Sequence, residues 1–145
     1  MTNPGRQNKM SDLPVYILDS FALLAYLTDE PAAERIETLM ENARGQTCRL
    51  MLSIINLGEI LYITERRGGL ERAQDALALI RQLPIEILPV DEQSVFSAAH
   101  IKAHYVLSYA DTFVVATAQS EEGIILTGDP EFQTVEALVT IEWLN

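Results

Sequence analysis

Four apolar residues, Val15-Tyr16-Ile17-Leu18, run directly into Asp19, and an apolar helical pattern begins on the next residue. A short, continuous apolar run suits a strand buried on both faces. Asp19 therefore falls where a central strand ends and the chain turns into a helix. That edge is where open α/β sheets bind their ligands. A carboxylate placed there is a helix cap, part of a site, or both.

The rest of the chain alternates in the same way. The first helix runs to about Thr28. Glu30-Pro31 opens another, since proline suits the first helical position. Ala33, Ile36, Leu39 and Met40 recur at helical spacing, and Gly45 ends the run. Cys48–Ser53 reads as a strand, Asn56–Arg67 as a helix ended by Gly68-Gly69, and Leu70–Leu83 as a helix closed by Pro84. Ile85–Val90 is a third strand, with Pro89 marking its end or an edge position. Asp91 caps a helix through Tyr105, and Ala110–Glu121 forms another. Ile124–Thr127 is a short strand, Glu131–Val135 a single helical turn, and Leu138–Trp143 the last strand. Trp143 is expected to plug the core. Strands alternating with helices imply a parallel sheet with helices on both faces.

Composition narrows the class. The 145 residues are 48% hydrophobic and 21% charged, which suits one globular domain rather than a disordered chain. No apolar run approaches the roughly 20 residues that span a membrane. Residues 1–14 contain Pro4, Gly5, Arg6, Asn8 and Lys9 without an apolar segment, and are expected to form a flexible arm rather than a signal peptide. Residues 15–145 form the domain. Cys48 is the sole cysteine, which rules out an internal disulfide and points to a reducing, cytoplasmic setting.

Four acids occupy comparable places. Asp19 follows the first strand, Glu59 lies one turn into the helix after the second, Asp111 begins a helix, and Asp129 follows Ile124–Thr127. A parallel sheet brings all four towards one carboxyl edge. Each alone reads as a cap: Asn56 with Glu59 and Ser108 with Asp111 have capping-box spacing, and Asp129-Pro130 is a cap followed by proline. No Lys or Arg lies within a few residues of Asp19, Asp111 or Asp129. Carboxylates gathered without counter-charges raise each other's pKa, and a hard divalent cation resolves the conflict. Oxygen ligands suit magnesium or manganese. The matching chemistry is metal-assisted attack of water on a phosphodiester.

Several alternatives fall away. A response-regulator receiver needs a late lysine, and the last is Lys102; a haloacid-dehalogenase phosphatase needs an Asp where Phe21 stands; a dinucleotide site needs a glycine-rich first turn. His100 and His104 share a helical face, but without a following Glu they lack the metalloprotease pattern and read as a solvated face.

Four blocks carry a resemblance: Tyr-Ile-Leu-Asp-Ser from Tyr16, Asn-Leu-Gly-Glu-Ile-Leu-Tyr from Asn56, Leu-Ser-Tyr-Ala-Asp-Thr-Phe from Leu107 and Ile-Leu-Thr-Gly-Asp-Pro-Glu-Phe from Ile125. In order and spacing they resemble PIN-domain nucleases, and most of all the VapC-type toxins of toxin–antitoxin pairs. The resemblance implies a PIN-like three-layer α/β/α sandwich with a central parallel sheet. It also implies an endoribonuclease dependent on Mg2+ or Mn2+, leaving a 5′-phosphate and a 3′-hydroxyl. Asp19, Glu59, Asp111 and Asp129 become the catalytic quartet. Asp19, Asp111 and Asp129 become the metal ligands, with Ser20 and Thr127 as supporting hydroxyls. The partners implied are an RNA substrate, a cognate antitoxin with a basic segment, and a second copy in a homodimer. A PIN fold that has lost catalysis and only binds a partner is the competing reading.

The sequence departs from the pattern at two positions. Ser20-Phe21 stands where many such toxins carry Thr-Asn, and Val115 stands where some carry a further acid. The net charge of −11, from 21 acids against 10 Lys and Arg, disfavours general polyanion binding. Local arginines, Arg66-Arg67 with Arg72 and Arg44 with Arg49, read as surface charge or as guides for an RNA backbone. Leu57, Ile60, Leu61, Tyr62 and Ile63 read as core or as an interface with a dimer partner or antitoxin.

Overall fold

The computed structural model describes residues 12–144. Five strands form one parallel sheet: β1 (Val15–Leu18), β2 (Arg49–Ser53), β3 (Ile85–Leu88), β4 (Ile124–Thr127) and β5 (Thr140–Trp143), in the order β3-β2-β1-β4-β5. The helices are α1 (Ser20–Leu27), α2 (Ala33–Arg44), α3 (Ile54–Gly68), α4 (Leu70–Ile80), α5 (Glu92–His104) and α6 (Tyr109–Glu121), with a 3-10 turn over Pro130–Val135.

Successive strand residues serve opposite faces. Leu18, Leu50, Leu52 and Leu126 pack in one core beneath α1 to α4. Ile17, Met51 and Ile125 pack in the other, with α5, α6, Phe132 and Val135. This double burial explains why the strands read as unbroken apolar runs. It also gives the expected three-layer α/β/α arrangement.

Most element boundaries follow the sequence pattern, and the exceptions have local causes. Helix α2 starts at Ala33 rather than at Glu30-Pro31, because the Glu30 carbonyl accepts from the Ala33 N–H at 2.8 Å and closes a turn there. Helix α3 starts at Ile54, two residues early. Ser53 ends β2 and also caps α3, its hydroxyl accepting from the Ile55 N–H. Asn56 is therefore an interior helical residue, not a cap. Gly69 joins α3 to α4 with φ +90, a conformation open mainly to glycine. Strand β3 ends before Pro89 and lies at the sheet edge.

Two expectations are corrected. Trp143 is 36% exposed, while Leu144 is buried: β5 is an edge strand, and the inward place falls on the next residue. Within the expected arm, Leu13 is buried and the Pro14 carbonyl accepts from the Arg49 N–H, so residues 13 and 14 pack on the domain; residues 1–11 of the expected arm lie outside the described residues. No helix among the described residues is long and apolar enough to cross a membrane.

A candidate metal centre at the carboxyl edge of the sheet

The chain runs outward from β1 to β2 and β3, then returns to lay β4 and β5 on the other side of β1. The crevice between the carboxyl ends of β1 and β4 is the switch point where such sheets bind ligands. Each candidate residue reaches it from a different element. Asp19 directly follows β1, Asp129 lies two residues past β4, Asp111 is in the first turn of α6, and Glu59 lies in the second turn of α3.

Asp19 is almost fully buried. One carboxylate oxygen accepts from the Ala22 N–H at 2.8 Å, which caps α1. The other accepts from the Thr127 hydroxyl. The same Thr127 oxygen accepts from the Asp129 N–H at 3.0 Å, so one side chain ties the ends of β1 and β4 together. Ser20, the other hydroxyl singled out, opens α1 and is partly buried. Burial pushes the Asp19 carboxyl up to about 7, against the pull of Thr127 and Ala22, and the charges of Asp111 and Asp129 add to the rise.

Asp111 is also buried, with its N–H donating to the Ser108 hydroxyl at 3.2 Å. Burial raises its carboxyl to about 6. Ser108 opposes the rise, and the charges of Glu59, Asp129 and Glu131 add to it. Asp19 thus feels the charges of Asp111 and Asp129, and Asp111 those of Glu59, Asp129 and Glu131. Neither Asp19 nor Asp111 forms an ion pair with a Lys or Arg among the described residues.

The closest group of ligand atoms is Asp111, Asp129 and Glu131, whose carboxylate oxygens all lie within 4.8 Å of one another. Glu131 was absent from the predicted ligands. It sits in the 3-10 turn that Asp129 caps by accepting from the Glu131 N–H at 3.0 Å. Its signal was the Asp-Pro-Glu run, where an acid two residues past a cap projects to the same end of the turn. Asp19, predicted as a ligand, stands behind this trio with both oxygens already engaged once. Each carboxylate oxygen retains further acceptor capacity.

The donor set consists wholly of carboxylate oxygens, the chemistry that suits a hard divalent cation. Two orphaned acceptors adjoin it. Glu59 Oε1 and Asn56 Oδ1 are buried without a hydrogen-bond partner. The Asn56 amide donates to the Ala110 carbonyl at 3.1 Å, joining α3 to the first turn of α6 beside Asp111. This tie was missed because Asn56 had been read as a cap.

The other features singled out in the sequence lie apart from this centre or are engaged elsewhere. His100 and His104 are exposed, with ring centroids 4.8 Å apart, and no third ligand joins them among the described residues. Arg49 is forked to Glu86 and Arg44 lies 3.8 Å from Glu37, so neither is a free cation. Arg66 stands over the Tyr62 ring at 5.0 Å, seven residues and about 10 Å along α3 from Glu59. Leu57 and Ile60 belong to the core, leaving Tyr62 as the exposed member of the apolar set.

Comparison with known proteins agrees with this geometry. Among solved structures, the chain resembles one in VapBC2 from Rickettsia felis bound to a DNA fragment from their promoter (TM-score 0.71, 17% identity, covering 90% of this chain and 99% of that one). It resembles one in DNA-bound VapBC from Salmonella typhimurium (TM-score 0.69, 21% identity, 90% and 98% covered). A third is VapC20 from Mycobacterium tuberculosis, a sarcin–ricin-loop-cleaving toxin (TM-score 0.61, 18% identity, 76% and 86% covered). No curated protein matches the sequence. The sequence profile of the PIN domain matches residues 16–138, a span that holds all five acids and four of the five strands, and by that match the chain belongs to the PIN-domain family.

Proposed function

We propose that this protein is a Mg2+- or Mn2+-dependent endoribonuclease, the toxin component of a toxin–antitoxin pair. The observation that carries the reading is the convergence of Asp111, Asp129 and Glu131 with buried Asp19 nearby in charge, and no ion pair from a Lys or Arg to any of them among the described residues. The resemblance to VapBC complexes and to an RNA-cleaving toxin supports the biological role.

Asp111, Asp129 and Glu131 would hold the cation through carboxylate oxygens, with Asp19 adding its charge to the field. A bound divalent cation supplies charge neutralisation and a more acidic water for in-line attack on phosphorus. Thr127 fixes Asp19 in its rotamer and restrains the Asp129 backbone. Glu59, with its unpartnered Oε1, orients the attacking water by accepting its hydrogen bond. The water oxygen bonds to phosphorus and gives up a proton to solvent, the P–O3′ bond breaks, and the departing 3′-oxygen takes a proton from a solvent water. The products carry a 5′-phosphate and a 3′-hydroxyl.

The acidic cluster also suits a basic partner. A basic antitoxin segment entering it is favoured electrostatically and blocks cation and RNA together. Removing the charges of Asp19, Glu59, Asp111 and Asp129 from the net −11 still leaves −7. RNA is therefore held at the metal and by local contacts rather than by a broad basic surface. We place the protein in the cytoplasm as a homodimer.

The test is cleavage of single-stranded RNA by purified, partner-free protein with magnesium or manganese, beside an EDTA control and the Asp19→Asn and Asp111→Asn variants. Metal-dependent cleavage lost in both variants establishes the reading. Absence of both cleavage and metal binding overturns it and leaves a PIN fold that only binds partners.

A further inference from the structure

Phe21 stands where VapC-type sequences commonly place a hydrogen-bonding Asn, and the structure gives it a defined position beside the centre. It is the second residue of α1, two past Asp19, and is 40% exposed. Its ring rests on Gly128, the residue between Thr127 and Asp129. A Cβ at position 128 would lie 2.3 Å from Phe21 Cε1 and 2.6 Å from Cζ, with the Leu144 carbonyl at 3.0 Å on another side. Glycine is therefore what admits the ring at this spot. The Cε1–Cζ edge of the ring is seated on the β4 loop, and the residue as a whole keeps 40% of its surface exposed.

Exposure alone carries no meaning: Phe96, on α5, is 61% exposed, and single exposed apolar residues are ordinary. What distinguishes Phe21 is a ring held against the loop that carries Asp129, in a protein of net charge −11. Long-range electrostatics disfavour a polyanion here, so neutral contacts at the site add to what the metal and local arginines supply. Aromatic side chains provide them by stacking on unpaired bases, a contact that needs no charge and tolerates any base.

We infer that Phe21 is a base-stacking platform: it takes the base of a nucleotide next to the scissile phosphate of single-stranded RNA and so sets the register of the strand on the acidic centre. The inference deepens the nuclease reading and rests on it for the identity of the ligand. A stacked base confines cleavage to unpaired segments, because the ring cannot reach a base face inside a duplex.

The experiment is rapid-mixing fluorescence anisotropy with a 5′-fluorescein single-stranded RNA dodecamer and an abasic chain of the same length. The full-length protein and its Phe21→Ala, Phe21→Leu, Phe21→Trp and Phe96→Ala variants are compared in magnesium, with cleavage followed in parallel. Phe21→Ala and Phe21→Leu are expected to weaken binding of the intact RNA by roughly tenfold, with Phe21→Trp retaining it and Phe96→Ala unchanged. All should bind the abasic chain equally. Equal affinity of wild type and Phe21→Ala for intact RNA, or full rescue by leucine, overturns the inference, and cleavage by both then leaves the nuclease reading standing. Phe21-dependent binding without cleavage in magnesium or manganese supports the platform and removes the nuclease. No RNA binding by any form removes both.

Discussion

Glu86 and Glu142 lie on the partly solvated flanks of the sheet, and each is gripped by an arginine fork, Arg49 on Glu86 at 2.6 and 2.9 Å and Arg35 on Glu142 at 2.8 and 2.9 Å. Asp19 and Asp111 are buried more deeply and have no such partner among the described residues. The physical consequences run in opposite directions. Arg35 holds the Glu142 carboxyl below its ordinary range, whereas burial lifts Asp19 to about 7 and Asp111 to about 6. Among the described residues, counter-charge thus accompanies the structural carboxylates and is lacking where five acids converge. An unpaired carboxylate in low dielectric is costly. Its retention at the edge where ligands bind argues that the counter-charge comes from outside the chain.

The largest effect that could break this comparison is on metal affinity. Asp129→Asn should weaken Mn2+ binding, followed calorimetrically, by more than the roughly 10- to 100-fold that losing a supporting neighbour costs a metal site. Glu86→Gln should leave that affinity unchanged. Equal losses in the two variants would erase the distinction between structural and site carboxylates.

Stability against pH tests the same contrast without metal. In the folded protein Asp19 holds its proton up to about pH 7, while in the unfolded chain it releases it near 4. The folded state therefore binds more protons across that window. Its stability is fully present below about pH 4 and is lost as pH rises through 7. In EDTA the wild type should lose on the order of 2–4 kcal/mol between pH 5 and 8. Asp19→Asn should flatten that dependence, and added Mn2+ should restore the wild type at pH 8; thermal melts at each pH read both.

A smaller effect comes from the packing of Phe21. Gly128→Ala forces a methyl into the ring and should cost about 1–3 kcal/mol in chemical denaturation. The Phe21→Ala, Gly128→Ala double variant should recover much of that loss. The smallest effect belongs to the arginine forks. Arg35 is 41% exposed, so solvent screens the pair, and Glu142→Gln should cost no more than about 1 kcal/mol.

Much of this centre was legible in the sequence because parallel sheets impose a simple rule. Apolar runs too short to be anything but buried strands end at one edge, so the acids that follow them must meet. The sequence pattern therefore sufficed to bring Asp19, Asp111 and Asp129 to one edge. What it obscured were positions whose role depends on tertiary closeness. Glu131 lies near Asp111 only because a 3-10 turn folds back over the edge. Asn56 looked like a cap because its spacing to Glu59 is that of a capping box, and only the early start of α3 turns it towards Ala110. Trp143 looked like a core residue because size suggests burial, yet it ends an edge strand and keeps 36% of its surface exposed.

The pairing of β1 with β4 has a consequence in time. Tyr16 is matched with Ile124 across the sheet, and Asp19 with the loop that carries Asp129. At translation rates of about 5–20 residues per second, the first acid leaves the ribosome roughly 5 to 20 seconds before the last. Pairings so distant along the chain also form slowly. A nascent chain broken off before Ile124 carries Asp19, Glu59 and Asp111 but neither Thr127 to orient the first nor Asp129 to complete the cluster. The chemistry is thereby latent during synthesis, and it appears only when the fourth strand slides in beside the first.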